Sequence, residues 1–291
     1  MVALQRNDAA NLSNTEFKYI CQFAYNRAGI VLTEAKREMV YRRLTRIVRE
    51  RKLPSFSAYC QLLQASPEQE ESYFINAITT NLTSFFREQH HFDYLSQHEL
   101  PRLLSTKNDK RIRIWSSASS TGEEPYSIAM TLLETLGKNN TYWNAKILAT
   151  DIDSNVVAKG KAGIYPLQSI EDIPNHLKSK YLKQGRGQHE NHIKVSKVLQ
   201  NRITFKQLNL LDEWPMQGPF DIIFCRNVII YFDKQTQTSL FERYYNMLAP
   251  GGLLILGHSE NLGSYQQYFE NVGRTIFRKS FSLNQGRINA L

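Results

Sequence analysis

The chain of 291 residues holds little sulfur. Its three cysteines, Cys21, Cys60 and Cys225, are odd in number, and no two share a C-x-x-C spacing. That argues against a disulfide scaffold or a cysteine zinc cluster, and for reduced thiols in a cytoplasmic protein. Long apolar runs are also missing. None approaches the ~20 residues of a membrane span, and the longest candidates, such as 251–257, suit a buried strand. The opening MVALQRNDAANLSN has no apolar core of the kind a secretory signal needs, so none is expected. Acidic residues are outnumbered, 27 against 36 basic, giving a net charge of +9. The surplus favours an anionic partner without choosing among nucleic acid, an anionic membrane surface and an acidic protein face. No internal repeat or low-complexity tract is visible.

Strand patterns are absent from the first part. From about Asn14 to Phe86 the periodicity is helical only. Phe17, Ile20, Phe23 and Ala24 mark a first helix, with Ser13 or Asn14 at its N-cap. A second begins near Thr33. Val40, Leu44, Ile47 and Val48 form its apolar face, Arg42, Arg46 and Arg49 lie opposite, and Pro54 ends it. "SFSAYCQLL" and "EQEESYFINAITTNL" read as two more helices. After about Thr106 strands alternate with helices. Strands are expected at 111–115, 146–150, 203–207, 221–225 and 253–256, with a last one through 274–278. Helices are expected at 125–136, 154–161 and 234–248. This alternation implies a mostly parallel sheet covered on both faces. Residues 163–201 exceed a single crossover, and "YLKQGRGQHENHIKVS" within them reads as a hairpin turning near Gly185 and Gly187. The expected fold is α/β. A helical N-terminal domain (1–86) leads through a linker helix (87–105) to a doubly wound, mostly parallel sheet (106–291). A small antiparallel β-subdomain is inserted at 163–201.

Large side chains are missing from one turn. In "RIRIWSSASSTGEEPYSIAM" a strand gives way to seven small residues, Ser116 to Gly122, and then to Glu123 and Glu124 at the mouth of a helix. Open α/β sheets bind ligands outside the carboxyl ends of their strands, and small residues let the backbone approach a ligand closely. Two acids there would repel a pyrophosphate and suit a cationic or amino-bearing ligand. The next strand ends "ILATDIDSNVV", placing Asp151 where an acid accepts from ribose hydroxyls. Asp153 and Ser154 suit a helix cap. Ribose, adenine and a cationic amino-acid tail describe S-adenosylmethionine better than a nicotinamide cofactor. "PFDIIFCRNVIIYFDK" interrupts an apolar run with Arg226 and Asn227, which is costly unless they are paired. Tyr231 follows within a turn. Cys225 has no histidine beside it in sequence and reads as a buried thiol. In "TTNLTSFFREQHHFDYL", Asn81, Thr83 and Ser84 have the short polar side chains of a helix entrance. His90 and His91, as successive helical residues, should face different ways, and no metal is expected.

These clusters, in this order, resemble the chemotaxis receptor methyltransferases, the CheR family. The resemblance rests on "TTNLTSFFREQHHF", "WSSASSTGEEPYSIAM", "ATDID", "GIY", "NLL" at 209–211, "FCRNVIIYFDK" and "GHSEN" at 257–261. It implies transfer of a methyl group from S-adenosylmethionine to glutamates on the cytoplasmic helices of membrane chemoreceptors. The products would be a methyl ester and S-adenosylhomocysteine. The implied cofactor contacts are Asn81, Thr83 and Arg87, Glu124 rather than Glu123, Asp151 at the ribose, Asn209 and Leu210 at the adenine, and Arg226 with Asn227. Arg87 and Tyr231 would lie nearest the reacting methyl. Some family members grip a receptor's C-terminal peptide with the β-subdomain, which the hairpin resembles. No nucleic acid and no membrane insertion are expected. The rival reading, an RNA methyltransferase, would need an aromatic pocket for a flipped base.

Overall fold

The computed structural model describes residues 12–280. Helix α1 (Asn14–Ala28) opens with a capping box: Ser13 accepts from the Glu16 N–H, and the Glu16 carboxylate accepts from the Ser13 N–H. After a 3₁₀ turn at Glu34–Lys36 come α2 (Arg37–Glu50), α3 (Phe56–Ala65) and α4 (Pro67–Ile78). Their shared core holds Ile20, Val40, Leu44, Tyr59, Leu63 and Phe74, all fully buried. The predicted apolar stripe of α2 is buried, and Arg42, Arg46 and Arg49 are exposed. Arg43 donates to the carbonyls of Ile78 (2.6 Å) and Thr79 (2.7 Å), filling acceptors that the end of α4 leaves open.

Residues 79–89 are not helical. Asn81, Thr83 and Ser84 therefore do not form a helix entrance. The chain turns sharply, with Phe86 at φ 54° and Glu88 at φ 58°. Helix α5 (His90–Tyr94) starts three residues later than expected and runs through a π turn (Leu95–Glu99) into α6 (Leu100–Thr106).

The second part alternates as its sequence predicts. Strand β1 (Arg111–Ser116), helix α7 (Glu123–Leu136), β2 (Asn144–Asp151) and α8 (Ser154–Ala162) precede the insertion. The insertion contains β3 (Ile164–Pro166), α9 (Asn175–Tyr181), β4 (Leu182–Gln184), β5 (His192–Val195) and α10 (Lys197–Gln200). Then follow β6 (Ile203–Gln207), β7 (Phe220–Cys225), α11 (Lys234–Met247), β8 (Leu248–Leu256), β9 (Phe269–Gly273) and β10 (Ile276–Lys279). The main sheet runs β6-β2-β1-β7-β8-β10-β9, and the pairs from β6 to β8 are parallel. Strand order reverses direction at β1, between β2 and β7, which is where such sheets leave a crevice. The last expected strand is β10, which pairs antiparallel with β8 and forms a hairpin with the unexpected β9. Strand β9, "FENVG", buries only Phe269 fully and lies at the sheet edge, so it lacks an apolar signature.

The hairpin in the insertion is β4–β5, and β3 adds a third antiparallel strand, in the order β3-β5-β4. This small sheet is packed down firmly. Tyr165, Ile193 and Val195 belong to the same buried cluster as Tyr126 and Leu133 of α7, and the Tyr181 hydroxyl donates to Glu134 at 2.6 Å.

Candidate active site

All ten residues named from the sequence line one open cleft at the carboxyl ends of β1, β2 and β7. They are Asn81, Thr83, Arg87, Glu124, Asp151, Asn209, Leu210, Arg226, Asn227 and Tyr231. The cleft encloses about 1110 Å³, including its mouth.

The stripped turn after β1 serves two ends. Facing the cleft are Ser117, Ala118 and Ser120. Facing away is Gly122, at φ +101°, where a Cβ would meet the Tyr165 hydroxyl at 2.7 Å and the Gly160 Cα at 2.8 Å. Glycine there is required by the packing of α8 and the inserted sheet as much as by a ligand. The two serines facing the cleft are bonded. Ser117 donates to the Phe224 carbonyl (3.0 Å), and Ser120 donates through its hydroxyl to the Asn81 carbonyl (2.9 Å).

The two acids at the helix mouth part company. Glu123 turns away from the cleft, accepts from the Thr121 hydroxyl (2.6 Å), and is held protonated more readily by its burial. Glu124 lines the cleft, accepting from Ser116 Oγ (2.7 Å) and from Arg226 Nη1 (2.9 Å). Burial raises its pKa, and Arg226 opposes the rise. The cost of burying Arg226 is met by this pairing. The same guanidinium also donates to the Arg87 carbonyl and lies 3.5 Å from Glu88.

Asp151 accepts backbone N–H bonds from Ser120 (2.8 Å) and Asp153 (3.0 Å). Burial nevertheless pushes its pKa up to about 6. Asp153 caps α8 and accepts from Thr79 (2.9 Å) and Asn81 Nδ2 (2.8 Å). Asn81 thus borders the cleft while its amide is engaged in joining the linker to β2. Asn209 is similarly engaged. Its amide donates to the Arg27 carbonyl at the end of α1 (2.8 Å) and its oxygen accepts from the Leu211 N–H, so what it offers a ligand is mainly backbone. The Arg87 guanidinium donates to the Leu82 carbonyl (2.8 Å). Burial raises the Cys225 thiol pKa strongly, in keeping with an inert sulfur.

Several residues of this site have no clear signal in the sequence. Ala28, Ile30, Leu32, Lys36 and Met39 form the wall opposite the sheet. The Val31 N–H donates to the Tyr231 carbonyl (2.8 Å), and Lys36 Nζ sits 5.0 Å from the centre of the Tyr231 ring. Glu260, buried within "GHSEN", accepts from four backbone N–H groups: Gly257 (2.7 Å), Asn227 (2.8 Å), Val228 (2.9 Å) and Ile229 (3.0 Å). It holds the loop after β7, where Asn227 stands at φ 57° and Tyr231 follows. The motif itself was visible; the job of its glutamate was not.

A CheR methyltransferase all-alpha domain matches residues 15–79, and a CheR methyltransferase SAM binding domain matches 81–278. The chain belongs to the CheR methyltransferase family. The chemotaxis protein methyltransferase of Salmonella typhimurium is 44% identical over 96% of this chain and 95% of its own length. That of Escherichia coli is 43% identical over 95% of each. Chemotaxis protein methyltransferase 2 of Pseudomonas aeruginosa is 42% identical over 93% of this chain and 95% of its own. The enzyme is therefore an S-adenosylmethionine-dependent methyltransferase, and the rival RNA reading is not favoured. The cleft fits that cofactor. A carboxylate has about four acceptor positions, and Asp151 uses two of them on backbone N–H groups, leaving others for ribose hydroxyls. Arg226 Nε is a buried donor without a partner among the described residues, on a residue lining the cleft, and suits a carboxylate. Among the described residues no helix is long and apolar enough to cross a membrane.

Proposed function

We propose that this methyltransferase esterifies glutamate side chains on the cytoplasmic helices of chemoreceptors, in the cytoplasm. The observation that carries the reading is the make-up of the cleft. It pairs a ribose-type acid and a small-residue turn with an arginine and a tyrosine at hand. Bound S-adenosylmethionine supplies an electrophilic methyl on a sulfonium. A glutamate with pKa near ~4.3 is already ionised at pH 7, so its oxygen attacks without losing a proton. The residues' work is alignment, which in well-oriented systems contributes roughly 7–11 kcal/mol. Asp151 holds the ribose, Glu124 and Arg226 the amino-acid end, and Asn209 and Leu210 the adenine side; Asn81, Thr83 and Asn227 complete the pocket. Arg87 and the Tyr231 hydroxyl position the substrate carboxylate. On this reading Tyr231→Phe lowers turnover more than cofactor affinity.

The inserted sheet fits a second contact with the substrate. Strand β4 is an edge strand, open to strand addition. Lys180, Lys183, Lys194 and Lys197 line a cavity beside it, which suits an acidic C-terminal receptor peptide. Such tethering raises the local concentration of the methylation helix to about millimolar.

The test is transfer of a labelled methyl from the cofactor to receptor-rich membranes, followed by base treatment. Methyl esters release the label and methylated amines keep it. Base-stable label, or label on RNA in place of receptor, would refute the assignment. Deleting the receptor tail should reduce methylation at low receptor concentration and matter less at high concentration.

A further inference from the structure

The turn that presents Arg87 ends in a cluster that methyl transfer does not use. Glu88, His90 and His91 bring one carboxylate oxygen and two imidazole nitrogens within 4.8 Å of one another. The two rings are 4.1 Å apart. The expected divergence is not realised: His90 and His91 open α5 with their rings tilted 53° to each other.

His91 is fully buried. Its Nε2 lies 3.2 Å from the Arg274 carbonyl and 3.0 Å from the Thr275 hydroxyl. A carbonyl only accepts, and the single Thr275 hydroxyl proton has the carbonyl of Leu256 or of Arg274 to go to. The ring proton therefore sits on Nε2 and Nδ1 presents a lone pair. That lone pair lies 3.6 Å from Glu88 Oε2, another acceptor. Glu88 Oε2, His91 Nδ1 and His90 Nε2 are all buried and without a hydrogen-bond partner among the described residues. Glu88 Oε2 has only the Arg226 guanidinium near it, 3.5 Å away, and it faces the His91 Nδ1 lone pair with no donor between the two, an unfavourable arrangement that an electron-pair acceptor would relieve.

We propose that Glu88, His90 and His91 form a binding site for a divalent transition metal of the zinc type. His258, exposed and with Nδ1 3.2 Å from Glu88 Oε1, bonds the outer oxygen of the same carboxylate and so orients Glu88 from the solvent side. Imidazoles with one carboxylate suit zinc, nickel or copper; magnesium and calcium require more oxygen and more negative charge. The Nε2–H bond from His91 to a backbone carbonyl is the outer contact that orients metal-bound histidines. Binding ties Glu88 to the start of α5, and so fixes the strained turn beside Arg87.

The experiment uses the full chain, stripped with a chelator and titrated at pH 7.5. Zn²⁺ is followed by calorimetry and Co²⁺ by its visible absorption. Saturable binding of a single equivalent is expected, with Co²⁺ bands of a low-coordinate nitrogen and oxygen site. His90→Ala should weaken binding at least tenfold, and exposed His258→Ala should weaken it while leaving the fold intact. His176→Ala and His189→Ala, placed elsewhere in the chain, should bind as wild type. If the cluster is bridged by water alone, no saturable binding is seen and the proposal fails. It fails equally if His90→Ala, folded by circular dichroism, binds Zn²⁺ unchanged.

Discussion

The two walls of the cleft are built on different principles. On the sheet wall most polar groups are already bonded. Ser116 and Arg226 hold Glu124, Ser120 and Asp153 hold Asp151, and Glu260 holds the loop after β7. The helical wall is mainly apolar: Ala28, Ile30, Leu32 and Met39, with Lys36 as its cation. A few bonds pin it to the sheet, among them Val31 to Tyr231 and Asn209 to Arg27. The sheet wall thus presents fixed dipoles, and such preorganised groups need no rearrangement during reaction. The helical wall presents shape.

The largest expected effect comes from breaking the sheet wall at its centre. Arg226→Ala leaves Glu124 buried without its cation, and removing one partner of a buried pair typically costs about 3–5 kcal/mol. Chemical denaturation should show a loss of that order, together with loss of cofactor binding. A loss below about 1 kcal/mol would mean that the pair behaves as a surface pair and that the wall is less organised than its geometry indicates. Glu260→Gln should come next. The amide replaces one accepting oxygen with a donor that faces backbone N–H groups, each such mismatch costing about 1–3 kcal/mol. Because Glu260 does not line the cleft, turnover should fall more than cofactor affinity as the loop carrying Tyr231 loosens. Equal losses in both would place Glu260 in the general fold and not in the positioning of the loop.

The sheet wall was largely legible in the sequence. A polar residue at the end of an apolar strand needs a reason, and Asp151, Arg226 and Asn227 each showed that conflict. The helical wall was not legible, because an apolar residue facing a ligand and one facing a core look alike on a helix. Ile30 and Met39 carry no mark that separates them from Val40 or Leu44. Contacts made by backbone were hidden for a related reason. The Val31 N–H and the carbonyls of Arg27 and Arg87 belong to the chain whatever the side chain is. In the linker Asn81, Thr83 and Ser84 have the right composition for a cap, while tertiary bonds, Asn81 to Asp153 and Ser120 to Asn81, hold the chain out of a helix. Short edge strands β3 and β9 had too few residues to show a period.

A smaller effect separates charge from shape within the sheet wall. The pKa of Asp151 stands at about 6 in the unliganded protein, raised by burial. Ribose hydroxyls donate more strongly to the ionised carboxylate. Cofactor affinity should therefore be level above pH 6 and fall as pH drops through it, approaching about tenfold per unit well below. Asp151→Asn should bind more weakly at pH 7.5 and show no such fall. Calorimetry giving parallel pH profiles for the two proteins would assign the titration to another group.

The smallest expected effect tests the outside of the helical part, where α2 faces solvent. Arg42 and Arg46 are each 75% exposed and already pair with Glu38 (2.8 Å) and Glu50 (3.5 Å) on their own helix. Pairs of this kind contribute only about 0.3–0.5 kcal/mol. Reversing Arg42, Arg46 and Arg49 to Glu should thus cost little stability and leave cofactor affinity unchanged, since none of the three lines the cleft. If the substrate is a glutamate-bearing helix, its encounter with this face depends on charge. Methylation at limiting receptor should then slow in the triple variant, and added salt should slow the wild type over the range in which screening shortens to about 10 Å. Cofactor affinity serves as the internal control, because a variant that lost both would have been damaged in its fold. Wild-type methylation rates in the variant, together with a salt-insensitive wild type, would show that the arginines of α2 only solvate the helix and that the substrate is recognised by shape alone.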